Sequence, residues 1–263
     1  MRSSIAPILY WSYWANVIYI LGMFGYLTID TVTYIFPTFD STLSSSVYIF
    51  LAILFVIDAT LYTIDWYMYA VKLRANDNAP IEYRAEFVAC IFQHLGSYCY
   101  LIGALLLFSK TRLLRAILLS NFIGILAFLT ESLLTFLGWR IALRKRPPAN
   151  AKRGCVPQDV YMWAHLFNII AAILYLCATT LAYRLYVNYK IVNATSVLIL
   201  QMIGDLTYLF DAYLYYDCWQ QDKQEYDANT ERQRLIELNL VKQLTTEHLD
   251  NGAKMDEKKI DLR

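Results

Sequence analysis

Residues 47–71 read VYIFLAILFVIDATLYTIDWYMYAV, a run of apolar and aromatic side chains without a Lys or Arg, in which two acids, Asp58 and Asp65, are embedded. About 20 helical residues cross the roughly 30 Å of bilayer hydrocarbon. Backbone in lipid must bond to itself, and the run is too long and continuous for a barrel strand, so it reads as a membrane-spanning helix. Working outward, five similar runs lie near residues 10–35, 86–108, 115–139, 160–184 and 194–217. The expected fold class is all-α: a multi-pass bundle of six transmembrane helices.

Composition agrees. The 263 residues are 58% hydrophobic, 16% aromatic and 17% charged, with 23 Lys+Arg against 22 Asp+Glu. These values exclude a disordered chain, a collagen and a basic nucleic-acid binder, so no nucleic-acid partner is expected. Charge is unevenly placed: no Lys or Arg occurs between Arg2 and Lys72, while the residues after Asp217 are charged and mostly polar. The chain therefore divides into a transmembrane domain, 1–219, with hairpins at about 10–71, 86–139 and 160–217, and a cytosolic tail, 220–263.

The separators carry turn chemistry: Ser/Thr-rich Pro37 to Ser46, a minimal Ser109 to Arg112, and the basic break Arg146-Pro147-Pro148-Ala149-Asn150. Basic residues in short loops set orientation. One side holds Arg2, Lys72, Arg74, Arg84, Arg140, Arg144, Lys145, Arg146, Lys152 and Arg153; the other holds Lys110, Arg112, Arg115, Arg184 and Lys190. Both termini are accordingly expected in the cytosol. Asn193-Ala194-Thr195 is a glycosylation sequon on the outer side, too close to the sixth span for use. The first apolar run is too long and aromatic for a cleaved signal. Cys90, Cys99, Cys155, Cys177 and Cys218 show no metal-like spacing; Cys155 and Cys218 lie where membrane-proximal acylation is chemically open.

A pattern recurs in the even-numbered spans. Asp58-Ala59-Thr60-Leu61 leads to Trp66, Glu131-Ser132-Leu133-Leu134 to Trp139, and Asp211-Ala212-Tyr213-Leu214 to Trp219, with the Trp eight residues after the acid each time. The odd spans echo it with Trp14-Ala15-Asn16 and Trp163-Ala164-His165, and His94 takes the corresponding place in the third. The reading is three repeated helical hairpins, each with an Asn or His on one helix and an acid on the other. Asn16, His94, His165, Asp58, Glu131 and Asp211 then share a layer on the cytosolic side of the midplane. Trp66, Trp139 and Trp219, about 12 Å further along, are expected as interfacial anchors.

The acids carry the functional argument. An ionised carboxylate in hydrocarbon costs at least about 2.5–3.5 kcal/mol, and its usual remedy is a Lys or Arg partner, which these spans lack. The remaining options are a protonated acid, a water-filled cavity or a bound cation, and 22 tyrosines are available to solvate any of them. Asp205 is a further deep acid; Asp30, Asp65 and Asp217 read as solvated at the membrane edge. Gly22, Gly25, Gly96 and Gly103 mark close helix approach. No His-x-x-x-His pair occurs, so neither a metal site, a cofactor nor an enzyme is expected.

In the tail, Thr230-Glu231-Arg232-Gln233 matches a capping box before Leu235, Leu238, Val241 and Leu244. This predicts an amphipathic helix over about 231–249, stopped at Asn251-Gly252, whose apolar stripe is a candidate surface for a protein partner. The leading functional expectation is a transporter or channel for protons or a small cationic solute, using Asp58, Glu131, Asp211, Asn16, His94, His165 and Asp205. The competing one is a non-transporting membrane scaffold or assembly protein whose tail recruits a partner.

Overall fold

The structure, a computed structural model, describes residues 7–36, 38, 40–68, 80–108, 113–145, 159–186 and 194–260. Among these the regular structure is all helical: α1 Pro7–Ile35, α2 Ser41–Trp66, α3 Pro80–Phe108, α4 Leu114–Lys145, α5 Val160–Tyr186 and α6 Ala194–Ile260. All six are long and apolar enough to cross a membrane. The first five contain 26 to 32 residues, about 39–48 Å at about 1.5 Å per residue.

Local chemistry explains the helix starts. Asp40 caps α2, its carboxylate accepting from the Thr42 N–H at 2.8 Å. The segment expected as a loop to Ser46 is therefore already helix from Ser41. Its hydroxyls do not open the backbone, because Ser45 and Ser46 donate to the carbonyls of Ser41 and Thr42 four residues back. Asp159 caps α5 in the same way through the N–H groups of Tyr161 and Met162. Pro80 opens α3, where its missing N–H costs nothing.

Two compact units make up the chain, Met1–Trp219 and Gln220–Arg263. The first has an interior of small and polar residues: Ala52, Ala59, Ala89, Ala164, Ala171, Ala172, Ala212, Ser97 and Ser132 are all essentially inaccessible. Large apolar residues face outward instead, with Phe24 61% and Leu206 58% exposed. That inversion of a soluble core suits a bundle whose solvent is lipid, where small residues allow close helix approach. Each helix packs on the next from α1 to α5. Bonds from α5 to α6 and from α6 back to α1 close the order into a ring. The ring is filled, since Phe55 of α2 meets Phe128 of α4 at 6.5 Å and Ile125, Ala172 and Tyr175 form an apolar centre.

Glycines set several crossings. A Cβ on Gly25 would strike Leu51, one on Gly103 would strike Asn121, and one on Gly96 would lie 2.9 Å from the Phe128 ring. Gly22 is roomier, its nearest neighbour being Phe55 at 3.6 Å. Gly124 and Gly204 add two close approaches, to the rings of Tyr100 and Tyr175.

In the second unit the backbone is helical from Gln220 to Ile260. No separate helix begins at residue 231 and none stops at Asn251-Gly252. The capping box has no free helix end to serve: the preceding residues are already helical, and the Thr230 hydroxyl donates back to the Tyr226 carbonyl at 2.8 Å. Leu235 and Leu238 are exposed; the side chains of Val241 and Leu244 lie outside the described residues. So do Cys155, Asn193 of the sequon and the Arg146–Asn150 break. Cys218 is buried within the bundle unit, which removes it as a simple acylation site.

Candidate functional site

Among the described residues five acids lie buried in the bundle unit, and each meets a polar group on another helix or in its own turn. Asp58 of α2 accepts from the Gln93 amide of α3 at 3.1 Å. Asp211 of α6 accepts from the Tyr19 hydroxyl of α1 at 3.0 Å, with Asn168 of α5 beside it. Glu131 of α4 is within 3.4 Å of the Ser132 hydroxyl, which also reaches Asn168 and the Phe128 carbonyl. Ser132 has one proton for three acceptors, so Asn168 and Ser132 form a shared polar bridge between Glu131 and Asp211. Asp58 and Asp211 both lie within the electrostatic reach of Glu131. The sequence-predicted acids of the even helices are thus neighbours in one interior.

A second cluster occupies another level. Asp30 of α1 accepts from the Tyr48 hydroxyl of α2, and Asp205 of α6 from the Tyr175 hydroxyl of α5. The Asp30 and Asp205 carboxyls lie side by side, with Tyr26 and Tyr100 near them. Asp30 is only 3% exposed, which corrects the expectation of a solvated residue at the membrane edge. Tyr48 and the partner acid replace solvent there. Asp205 and Asp211, six residues apart on α6, are both 0% exposed.

Tyr208 joins the two levels. It lies on α6 between Asp205 and Asp211, near both and near Glu131 and Tyr100. Asp205, Tyr208, Asp211 and Tyr215 follow at intervals of three, three and four residues, which keeps them within about 120° of helix surface over about 15 Å. Tyr215 continues to His165, its hydroxyl 2.9 Å from Nδ1. His165 is in turn boxed by Trp139 and Phe136.

The expected odd-helix residues fare differently. His165 joins this interior through Tyr215, whereas Asn16 spends its amide on the Ser12 carbonyl and His94 turns Nδ1 to the Cys90 carbonyl, each in its own helix. Their neighbours make the contacts to acids. Tyr19 lies three residues after Asn16, Gln93 one before His94, and Asn168 three after His165. One residue turns a helix by about 100°, and three return close to the same face, so a slip of this size in the polar pattern exchanges the partner. The tryptophans pack at helix junctions: Trp66 on Phe87, Trp139 on His165, and buried Trp219 on Tyr13, its indole N–H donating to the Leu9 carbonyl at 3.0 Å. Trp219 is thereby a packing residue between α6 and α1.

Several buried polar atoms have no hydrogen-bond partner among the described residues: Asp205 Oδ2, Asp211 Oδ1, the Tyr208 hydroxyl, Gln93 Oε1 and Trp66 Nε1. Three of them fall on the α6 face just described. Native structures leave few such atoms, and each marks a place where a proton, water or ion is chemically welcome. Basic residues within the spans of the bundle unit, Arg115, Arg140 and Arg184, sit only near helix ends. Among the described residues no three His, Cys, Asp or Glu side chains gather as a metal-holding group. Compared with protein families, with curated proteins and with solved structures, the chain finds no match.

Proposed function

We propose that this multi-pass membrane protein carries protons through its six-helix interior, as a transporter or channel, with a small cationic solute as the nearest variant. The supporting observation is the α6 face of Asp205, Tyr208, Asp211 and Tyr215, which lines up buried protonatable groups, three with an unpartnered oxygen, and no basic residue between them. Glu131, Asn168 and Ser132 flank its middle, and His165 follows its end. Hydroxyl and carboxyl groups in series can pass a proton by exchanging donor and acceptor roles, and intramembrane acids facing a bundle interior are the usual material of proton relays. Under this reading both termini are cytosolic and no catalytic chemistry is assigned. The bundle is taken as three repeated hairpins. The contacts of Trp66, Trp139 and Trp219 support this, because each joins an even helix to the start of an odd one.

Purified protein in liposomes with a trapped pH-sensitive dye tests the proposal. Wild type is expected to dissipate an imposed pH gradient, and Asp205→Asn and Asp211→Asn to slow it at least about tenfold, the scale of a lost relay group, with helical content and elution volume unchanged. A silent wild type across pH and ion gradients overturns the reading, as does undiminished flux in both variants.

The scaffold reading has its own observation: Asp30–Tyr48, Asp58–Gln93, Asp211–Tyr19 and Asp205–Tyr175 each tie two helices together. Exposed Leu235 and Leu238 then offer the tail to a partner. It requires folded, flux-free wild type in the same liposomes.

A further inference from the structure

The two histidines of the spans face different chemistry. His94 turns Nδ1 to the Cys90 carbonyl at 2.9 Å, an acceptor only, so that nitrogen keeps its hydrogen in either charge state. His165 turns Nδ1 to the Tyr215 hydroxyl at 2.9 Å, a group that both gives and takes a hydrogen bond. Three rings surround its imidazole: Tyr215 of α6 edge-on at 5.7 Å, and Trp139 and Phe136 of α4 at 5.8 and 6.4 Å. His165 is 7% exposed and lies five residues after Val160, about 8 Å along the axis from the start of α5. The titratable and charged groups about this pair are few. On α4 the guanidinium of exposed Arg140 lies over the far partner of the box, Phe136, at 6.0 Å; Asp211 and Cys218 of α6, Glu131 of α4 and Tyr62 of α2 stand near Tyr215.

We infer that His165 and Tyr215 form a pH gate at this end of the α6 string, where protons exchange with water through the His165 imidazolium and acid opens the exchange. The inference rests on the relay reading and adds its regulation. The acids and phenols of the string become neutral on taking a proton, whereas an imidazole becomes positive and then donates from both nitrogens. A ring with its hydrogen on Nδ1 donates to the Tyr215 oxygen. A proton added from water at Nε2 then lets the Nδ1 hydrogen move to that oxygen, while the hydrogen already on Tyr215 goes on to the Asp211 carboxylate, one turn back along α6. The ring ends neutral with its hydrogen on Nε2, Tyr215 ends neutral and donating to Nδ1, and Asp211 ends protonated. Each pass therefore leaves the opposite tautomer, which must be restored before the next, so protons move one per cycle of the imidazole. The surrounding rings hold the imidazole to its contact with Tyr215 and attract it when charged, since Trp139 and Tyr215 both lie within the range of a cation–π contact. His94 has no such part: its Nδ1 hydrogen is committed to a carbonyl that passes nothing on.

The test uses full-length protein in liposomes with a trapped pH-sensitive dye, equal pH on both sides, and a potassium gradient with valinomycin as a fixed electrical driving force. Wild-type flux is expected to rise as the common pH is lowered and then to level off, as for a single group that must take a proton. His165→Gln keeps a hydrogen bond to Tyr215 but holds no extra proton; it should lower flux at least about tenfold and remove the levelling-off. His165→Ala should lose flux equally and regain it on addition of imidazole, but not of phosphate at the same pH. Should these variants fail to fold, Tyr215→Phe keeps the ring, removes the hydroxyl and is expected to lose flux by the same factor, while His94→Gln should leave rate and profile unchanged. A conducting wild type whose rate and pH profile survive in His165→Gln or in Tyr215→Phe overturns the gate and leaves the relay standing, and so does an imidazole-insensitive His165→Ala. A silent wild type overturns the relay itself and the gate with it.

Discussion

At the scale of single residues, the bundle separates two neighbours that the sequence makes look alike. Gln93 bonds to buried Asp58, while His94 bonds to its own helix backbone. Gln93→Leu leaves the carboxyl without its described partner and is expected to destabilise the folded protein by about 1–3 kcal/mol, the cost of a buried unsatisfied polar group. His94→Leu should stay within about 0.5 kcal/mol, as for a substitution away from such features. Parallel unfolding of the two variants in detergent checks the contrast; equal losses would show that the Asp58 contact contributes nothing. The acids themselves were legible, because carboxylates in apolar runs are conspicuous and their eight-residue lead to Trp is fixed along the chain. Their partners were less so. A partner depends on helix rotation and on which neighbour arrives, and nothing in the local pattern distinguishes Tyr19 among 22 tyrosines or prefers Gln93 to His94. Asp30 was misread for the same reason: its depth is set by Tyr48 and Asp205, which come from other helices.

At the scale of elements, glycine positions report how tightly the helices meet. A Cβ on Gly204 would sit 2.7 Å from Tyr175 Cδ2, and the ring it pushes carries the hydroxyl that bonds Asp205. Gly204→Ala is therefore expected to cost about 1–3 kcal/mol through overpacking. Gly22→Ala adds a methyl 3.6 Å from Phe55, an ordinary contact, and should be neutral or stabilising by up to about 1 kcal/mol through the gain in helix propensity. Opposite signs in thermal unfolding check the pair, and a destabilised Gly22→Ala with an unaffected Gly204→Ala would show that the helices meet differently. The spans were readable because length and apolarity alone define them. Their ends were not, because a cap such as Asp40 decides where helix begins, and Ser or Thr just inside can bond backwards and continue it. The tail shows the converse: Thr230 resembles a cap only when the preceding residues are not helical.

For the molecule as a whole, six helices are long and apolar enough to cross a bilayer, and six crossings, an even number, would bring both ends of the transmembrane unit out on one side. Three helix junctions, marked by Trp66, Trp139 and Trp219, belong to that same side, since each lies where an even helix finishes beside the start of an odd one. By sequence position the larger basic set, Arg2, Lys72, Arg74, Arg84, Arg140, Arg144, Lys145, Arg146, Lys152 and Arg153, belongs to that side, against Lys110, Arg112, Arg115, Arg184 and Lys190 on the other. Translocating that larger set is disfavoured, so the proposed orientation has the tryptophan end and the charged tail in the cytosol. In that proposed orientation the Asp30–Asp205 pair would lie towards the outer face, and the string from Asp205 through Tyr208 and Asp211 to His165 would run inward. Protease protection of epitope-tagged protein in sealed microsomes, whose outer surface is the cytosolic side, decides the matter. Tags at both termini should be cleaved by added protease, and a tag placed between Lys110 and Arg112 should be protected until detergent opens the vesicles. Protection of both termini would reverse the direction of the proposed relay, while protection of only one would contradict six spans altogether.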